Sequence, residues 1–243
     1  MSYILIAGAK SDVAKELAIC YAKNNYDIYL AARDSKDLEP FAKNLSIREG
    51  QKIECLELDI LDMKNHQLFY DSLTEKPYGF ITAVGYLGDQ KMAENSFSEV
   101  EKIILSNFLG NVGLINIVAN DFEKRRTGFI IGLSSVAGDR GRKKNYFYGS
   151  SKAGFSAYLS GLRNRLNDSN VQVLTVKPGF INTKMTKGLK LPKLLTAEPS
   201  DVASDIVKAQ IKNKQIIYTK GIWKIIMFIV NAIPEKIFKK MNF

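Results

Sequence analysis

Short runs of β-branched and apolar residues alternate with longer stretches in which apolar positions recur every three or four residues, and the alternation continues along nearly the whole chain. Tyr3–Ala7, Asp27–Ala32, Ile53–Leu58, Phe80–Val84, Gly128–Leu133, Val171–Val176 and Gln215–Tyr218 read as strands. Between them, 12–23, 36–47, 63–73, 97–120, 147–166 and 199–212 carry helical periodicity. Parallel neighbours need long crossover connections, which helices supply. The pattern therefore predicts an α/β fold, a Rossmann-type doubly wound, seven-stranded parallel sheet with helices on both faces. Ligands of such sheets lie beyond the C-terminal ends of the strands. With no internal repeat or low-complexity linker, 1–243 reads as one domain. A Lys/Pro-rich stretch at 184–199 is expected to cover the substrate, and 222–243 to form an apolar and basic tail.

Composition narrows the function. The chain has 243 residues, 46% hydrophobic and 25% charged, which excludes a disordered tail, a collagen or a disulfide scaffold. Two cysteines, Cys20 and Cys55, are too few for a staple framework, and no charged-then-apolar leader opens the chain, so a reducing, cytoplasmic setting is expected. His66 is the one histidine, which argues against a multi-histidine metal site; no metal is expected. From Lys177 onward there are 13 Lys and 4 acidic residues, so this third carries +9 of the formal net charge of +10. Either this is a solvated surface or something anionic meets it. Nucleic acid is not expected, because there is no compact Arg/Lys block with interleaved aromatics.

Three segments carry candidate chemistry. Ala7–Ala14 links a strand to a helix, where Gly8, Lys10, Ser11, Asp12 and Val13 could meet a pyrophosphate through backbone N–H groups and the helix N-terminus. As a glycine fingerprint it is weak: Asp12 and Ala14 occupy the other two glycine places. At the end of the second strand, Ala31-Ala32-Arg33 offers no carboxylate for the ribose hydroxyls and an Arg that suits a 2′-phosphate, favouring NADP(H), with NAD(H) as the alternative. The strongest signal is Tyr148-Gly-Ser-Ser-Lys152, thirteen residues after Ser135. On a helix Tyr148 and Lys152 share a face. Tyrosine's free pKa of ~10 leaves about one phenol in a thousand ionised at neutral pH, and a neighbouring ammonium is expected to lower it and sharpen proton donation to a developing alkoxide.

Together these features resemble the short-chain dehydrogenases/reductases. The resemblance covers essentially the whole chain and implies a catalytic tetrad of Asn107, Ser135, Tyr148 and Lys152, with Lys152 also holding a ribose hydroxyl. Tyr146 is excluded because Ser150, four residues on, supplies no ammonium. The resemblance places Asp59 at the adenine and Ala83 and Gly85 along the cofactor. Pro178, Gly179, Ile181 and Thr183 belong to the segment after the sixth strand that approaches the nicotinamide and phosphates. Thr82-Ala83-Val84-Gly85 departs from the family's usual Asn-Asn-Ala-Gly. Homodimers or homotetramers are common in the family.

Val84–Asp89, Ser134–Arg140, Arg142–Lys144 and Ile233–Phe238 also resemble the decaprenylphosphoryl-2-keto-erythro-pentose reductases. That likeness implies a keto-sugar on a polyprenyl phosphate and a flavin-dependent oxidase as partner; a soluble or acyl-carrier-linked ketone, or a non-catalytic nucleotide-binding role, are the alternatives. Arg140, Arg142 and Lys144 lie between Ser135 and Tyr148 and are expected to hold the substrate's phosphodiester. Ile222–Val230 is apolar except for Lys224 and too short to span a bilayer. Either it packs on the protein, or it lies in the headgroup plane on the inner face of the cell membrane, with Trp223, Phe228 and Phe238 buried in lipid.

Overall fold

The seven expected strands all form and all pair in parallel. The computed structural model describes residues 2–188 and 191–241. Its elements run β1 (Tyr3–Ala7), α1 (Asp12–Lys23), β2 (Asp27–Ala32), α2 (Glu39–Glu49), β3 (Ile53–Glu57), α3 (His66–Asp71), β4 (Gly79–Thr82), α4 (Gln90–Asn95), α5 (Phe97–Ile104), α6 (Gly110–Arg125), β5 (Phe129–Leu133), α7 (Tyr146–Leu166), β6 (Gln172–Lys177), β7 (Phe180–Ile181), β8 (Thr196–Ala197), α8 (Pro199–Ile211), β9 (Ile216–Tyr218), α9 (Ile222–Ala232) and α10 (Glu235–Phe238). The main sheet has the order β3-β2-β1-β4-β5-β6-β9, so the winding reverses between β1 and β4 and opens a crevice at their C-terminal ends.

The central strands are apolar runs because both of their faces are buried. In β1, Ile4 and Ile6 join Leu17 of α1 and Ile206 of α8 on one side. Leu5 and Ala7 join Leu114 of α6 and Leu159 of α7 on the other. Phe97–Arg125 is long and apolar enough to cross a membrane, but half of it is buried inside the domain as a core element.

Several features differ from the sequence expectation. The long helix at 97–120 runs on to Arg125 and is interrupted by a π-helical turn over Leu105–Leu109. Part of the 184–199 stretch is ordered by the two-stranded pair of β7 with β8 and by short 3₁₀ turns at Lys184–Thr186 and Lys193–Leu195. The tail is helical: α9 drives Trp223 and Met227 into a small core with Val136, Phe180, Leu195 and Tyr218. Trp223 is thus a core residue, because its indole closes on Phe180 edge-to-face and its Nε1 donates to the Leu195 carbonyl, rather than facing lipid. Phe238 is likewise drawn to the protein, with its ring under Arg140.

Candidate active site

The turn after β1 needs glycine at position 8. Gly8 has φ +78, and a Cβ there would lie 2.8 Å from the Val84 backbone nitrogen. Ser11 caps α1 by accepting the Ala14 N–H. Asp12 is not the cap. Its carboxylate accepts the Lys184 N–H at 2.9 Å and so ties the 184–199 segment across the crevice. Val13 is core. Gly8, Lys10, Ser11, Arg33, Asp59, Ala83 and Gly85 line one cleft of about 290 Å³, joined by Leu58, Ile60, Lys102 and Met185, which sequence reasoning did not single out.

At the β2 end, Glu57 accepts the N–H groups of Asp34 and Ser35, and Ser35's N–H holds its carboxyl below the ordinary range. Lys10 is drawn to Asp37 at 2.6 Å and Asp34 at 3.5 Å. Arg33 is exposed and makes no ion pair among the described residues, so it is the cation left for an anionic ligand at this corner.

The β4–α6 side explains the interrupted helix. Asn107, in the π turn, is fully buried. Its amide donates to the Ile103 carbonyl at 2.8 Å and the Tyr86 carbonyl at 2.7 Å, and its Oδ1 accepts the Tyr86 N–H. The helical register break is thus satisfied by the Asn107 side chain. Thr82, which replaces an expected Asn, hydrogen-bonds Asn111 in the core.

The Ser135 turn packs directly on α7. A Cβ on Gly138 would lie 2.7 Å from the Ala153 nitrogen, and one on Gly149 would lie 2.8 Å from the Ala137 carbonyl oxygen. The Ser134 hydroxyl donates to the Lys152 carbonyl. These contacts fix the Ser135 loop against Tyr148 and Lys152. Tyr146 is exposed at the helix start.

Lys152 is 3% exposed, and its Nζ donates to the Leu133 carbonyl at 2.9 Å. Burial pulls its pKa down to about 8. Its Nζ is 5.8 Å from the Tyr148 ring centroid. The expected lowering of the Tyr148 pKa by Lys152 does not occur in this state. Burial pushes the phenol up to about 12, and the opposing pull comes from the Ser135 hydroxyl and the Arg142 guanidinium.

Arg140 also needs correction. Its guanidinium donates to the carbonyls of Val230 and Ile233, pairs with Glu235 and lies 3.7 Å from the Phe238 ring centroid. It fastens the tail rather than a substrate, because the C-terminal end of α9 presents unpaired carbonyls beside it. Pro178 accepts the Val136 N–H and Thr183 caps the 3₁₀ turn at 184–186. Gly179 lies against Trp223, and Ile181 is half-buried against the core. His66 is buried with Nε2 on the Ile60 carbonyl.

The residues present fit a dinucleotide. A Cβ on Gly85 would stand 3.3 Å from Asn107 Oδ1 and 3.7 Å from Lys152 Nζ, so the cradle depends on the missing side chain. The buried ammonium also has donors beyond the one given to Leu133.

A short-chain dehydrogenase family model matches residues 2–193. The chain belongs to that family. As a member it is an NAD(P)-dependent oxidoreductase. An uncharacterized oxidoreductase of Mycobacterium tuberculosis is 30% identical over 241 residues, 98% of this chain and 96% of the relative. An NADP-dependent 3-hydroxy acid dehydrogenase of Schizosaccharomyces pombe is 27% identical over 188 residues, 75% and 73% of the two chains. A short-chain dehydrogenase from Sphingobium yanoikuyae, solved in complex with NADPH, matches with a TM-score of 0.84 at 21% identity over 97% of each chain, and shows the same fold.

Proposed function

We propose that the protein uses NADPH to reduce a ketone, with Tyr148 as proton donor. The observation that carries the reading is a protonated, half-buried phenol on the same helix face as the buried Lys152 and beside Ser135. When bound, the nicotinamide supplies the hydride. Tyr148 gives its proton to the oxygen that gains charge, Ser135 holds that oxygen, and Lys152 holds the ribose. Asn107 positions the Tyr86 segment at the cleft wall. A phenol with a pKa near 12 stays protonated at neutral pH, as a reduction requires. Arg33 is the basis for preferring NADP(H) to NAD(H).

The substrate we favour is a keto-sugar on a polyprenyl phosphate. Lys144, on the loop leading into α7, is exposed and supports binding of a phosphodiester. The outer face of α9, with Ile225, Phe228 and Ile229 exposed and Phe228 at 76%, supports peripheral contact with the inner face of the membrane, together with exposed Lys224, Lys236, Lys239 and Lys240. An upstream flavin-dependent oxidase would supply the ketone, and a homodimer or homotetramer is the assembly the family suggests. Purified protein with NADPH should consume polyprenyl-phosphate keto-pentose at a higher kcat/KM than a 3-ketoacyl thioester. The opposite ranking would replace the lipid-linked substrate with an acyl-carrier-linked one.

A further inference from the structure

The chain has eight arginines. Six have acceptors: Arg48 on Glu49, Arg125 on Asp121, Arg126 on the Asp168 carbonyl, Arg140 on the tail, Arg163 on Thr175 and Arg165 on Glu123. The two side chains with no acceptor among the described residues are Arg33, which lines the cleft at the end of β2, and Arg142, on the loop between the Ser135 turn and α7. Arg33 is exposed and solvated. Arg142 is half-buried, and its Nε is shut off from solvent without a partner.

The acid whose charge acts on Arg142 is Asp139, but both of its oxygens are committed, one to Lys177 Nζ at 2.5 Å and the other to the Tyr218 hydroxyl at 2.7 Å. A guanidinium in that position is costly until an acceptor arrives. Arg142 sits on the short loop that joins the Ser135 turn to the start of α7, with its Nε buried and unpartnered, and its charge acts on the Tyr148 hydroxyl, which puts the acceptor it lacks on the Tyr148 side of the site. We infer that Arg142 is an anion-holding residue of the substrate site, and that the ketone reduced here carries a carboxylate or a phosphate ester within a few bonds of its carbonyl. The inference rests on the reading of Tyr148 as proton donor. It is narrower than the lipid-linked proposal, because it requires the charge near the ketone and says nothing of a lipid. A fork of N–H donors is the geometry that suits either oxyanion.

The test compares 3-keto acids with their methyl esters as substrates for the NADPH-loaded wild type, Arg142→Gln, Arg142→Lys and Lys124→Gln. The wild type should show the lower KM for the acid. Arg142→Gln should raise the ratio of the acid's KM to the ester's KM about 30-fold or more. Arg142→Lys should restore part of the acid's KM, and Lys124→Gln, at an exposed position on α6, should change little. Equal losses on acid and ester would assign Arg142 a structural role and overturn the inference. Calorimetry on the NADP+-loaded protein with inorganic phosphate gives a second readout that needs no turnover: saturable binding should be present in the wild type and lost in Arg142→Gln. No saturable binding to the wild type, or equal binding to both, would also overturn it. Turnover of no ketone, with phosphate binding intact and Arg142-dependent, would strike the reduction and spare the anion site.

Discussion

Replacing Lys152 by Met should make the cofactor-free protein more stable while removing its activity. The ammonium sits 3% exposed with one carbonyl partner, and its pKa falls from 10.5 to about 8. That depression corresponds to about 3 kcal/mol held against the folded state at pH 7. Met fills the same channel without charge, and the lost hydrogen bond to Leu133 gives back about 1 kcal/mol. The net expectation is about 2 kcal/mol of added stability. The sign with pH follows from the depressed folded value. Between about pH 8 and 10.5 the unfolded chain holds the proton that the folded chain has released, so wild-type stability rises with pH in that window. From pH 7 to 9.5 this one group adds about 2 kcal/mol to the wild type and nothing to the variant. Urea unfolding of both proteins at the two pH values isolates the difference, since all other titrations are shared. A variant less stable at pH 7, with a pH dependence parallel to the wild type, would refute the claim that a cation is stored in this cleft.

Gly179→Ala places a Cβ 1.9 Å from the Trp223 ring, so it should displace α9, cost about 1–3 kcal/mol and red-shift the emission of the chain's one tryptophan. Arg33→Ser should raise the KM for NADPH about tenfold or more with little effect on NADH, as measured by initial rates with each cofactor. Phe228→Glu puts a charge on the outer face of α9 and should abolish co-sedimentation with anionic phospholipid vesicles without changing the unfolding midpoint; unchanged sedimentation would remove the membrane contact.

The strands and their parallel pairing were legible because strands buried on both faces must be apolar throughout. The Tyr148–Lys152 pair was legible because a spacing of four fixes a shared helix face. The direction of the Tyr148 shift was not, since it depends on how deeply the phenol is buried, and that is a property of the Ser135 turn packing on α7. Nor could sequence separate Arg140 from Arg142: two basic residues on one loop look alike until α9 brings its terminal carbonyls to the first and leaves the second without an acceptor. The π turn at 105–109 depends on Asn107 reaching the Ile103 and Tyr86 carbonyls, a tertiary contact with no local signature. Sequence left Trp223 open between core and lipid, because a helix apolar on almost every side gives no clue to which face meets the core.

The most direct test of the central claim is Tyr148→Phe, measured for NADPH binding and for turnover of the best wild-type ketone. The account predicts an NADPH dissociation constant within a few-fold of wild type and a rate lower by about a hundredfold to ten-thousandfold. Retention of most of the turnover would contradict it and move the proton donor to another group.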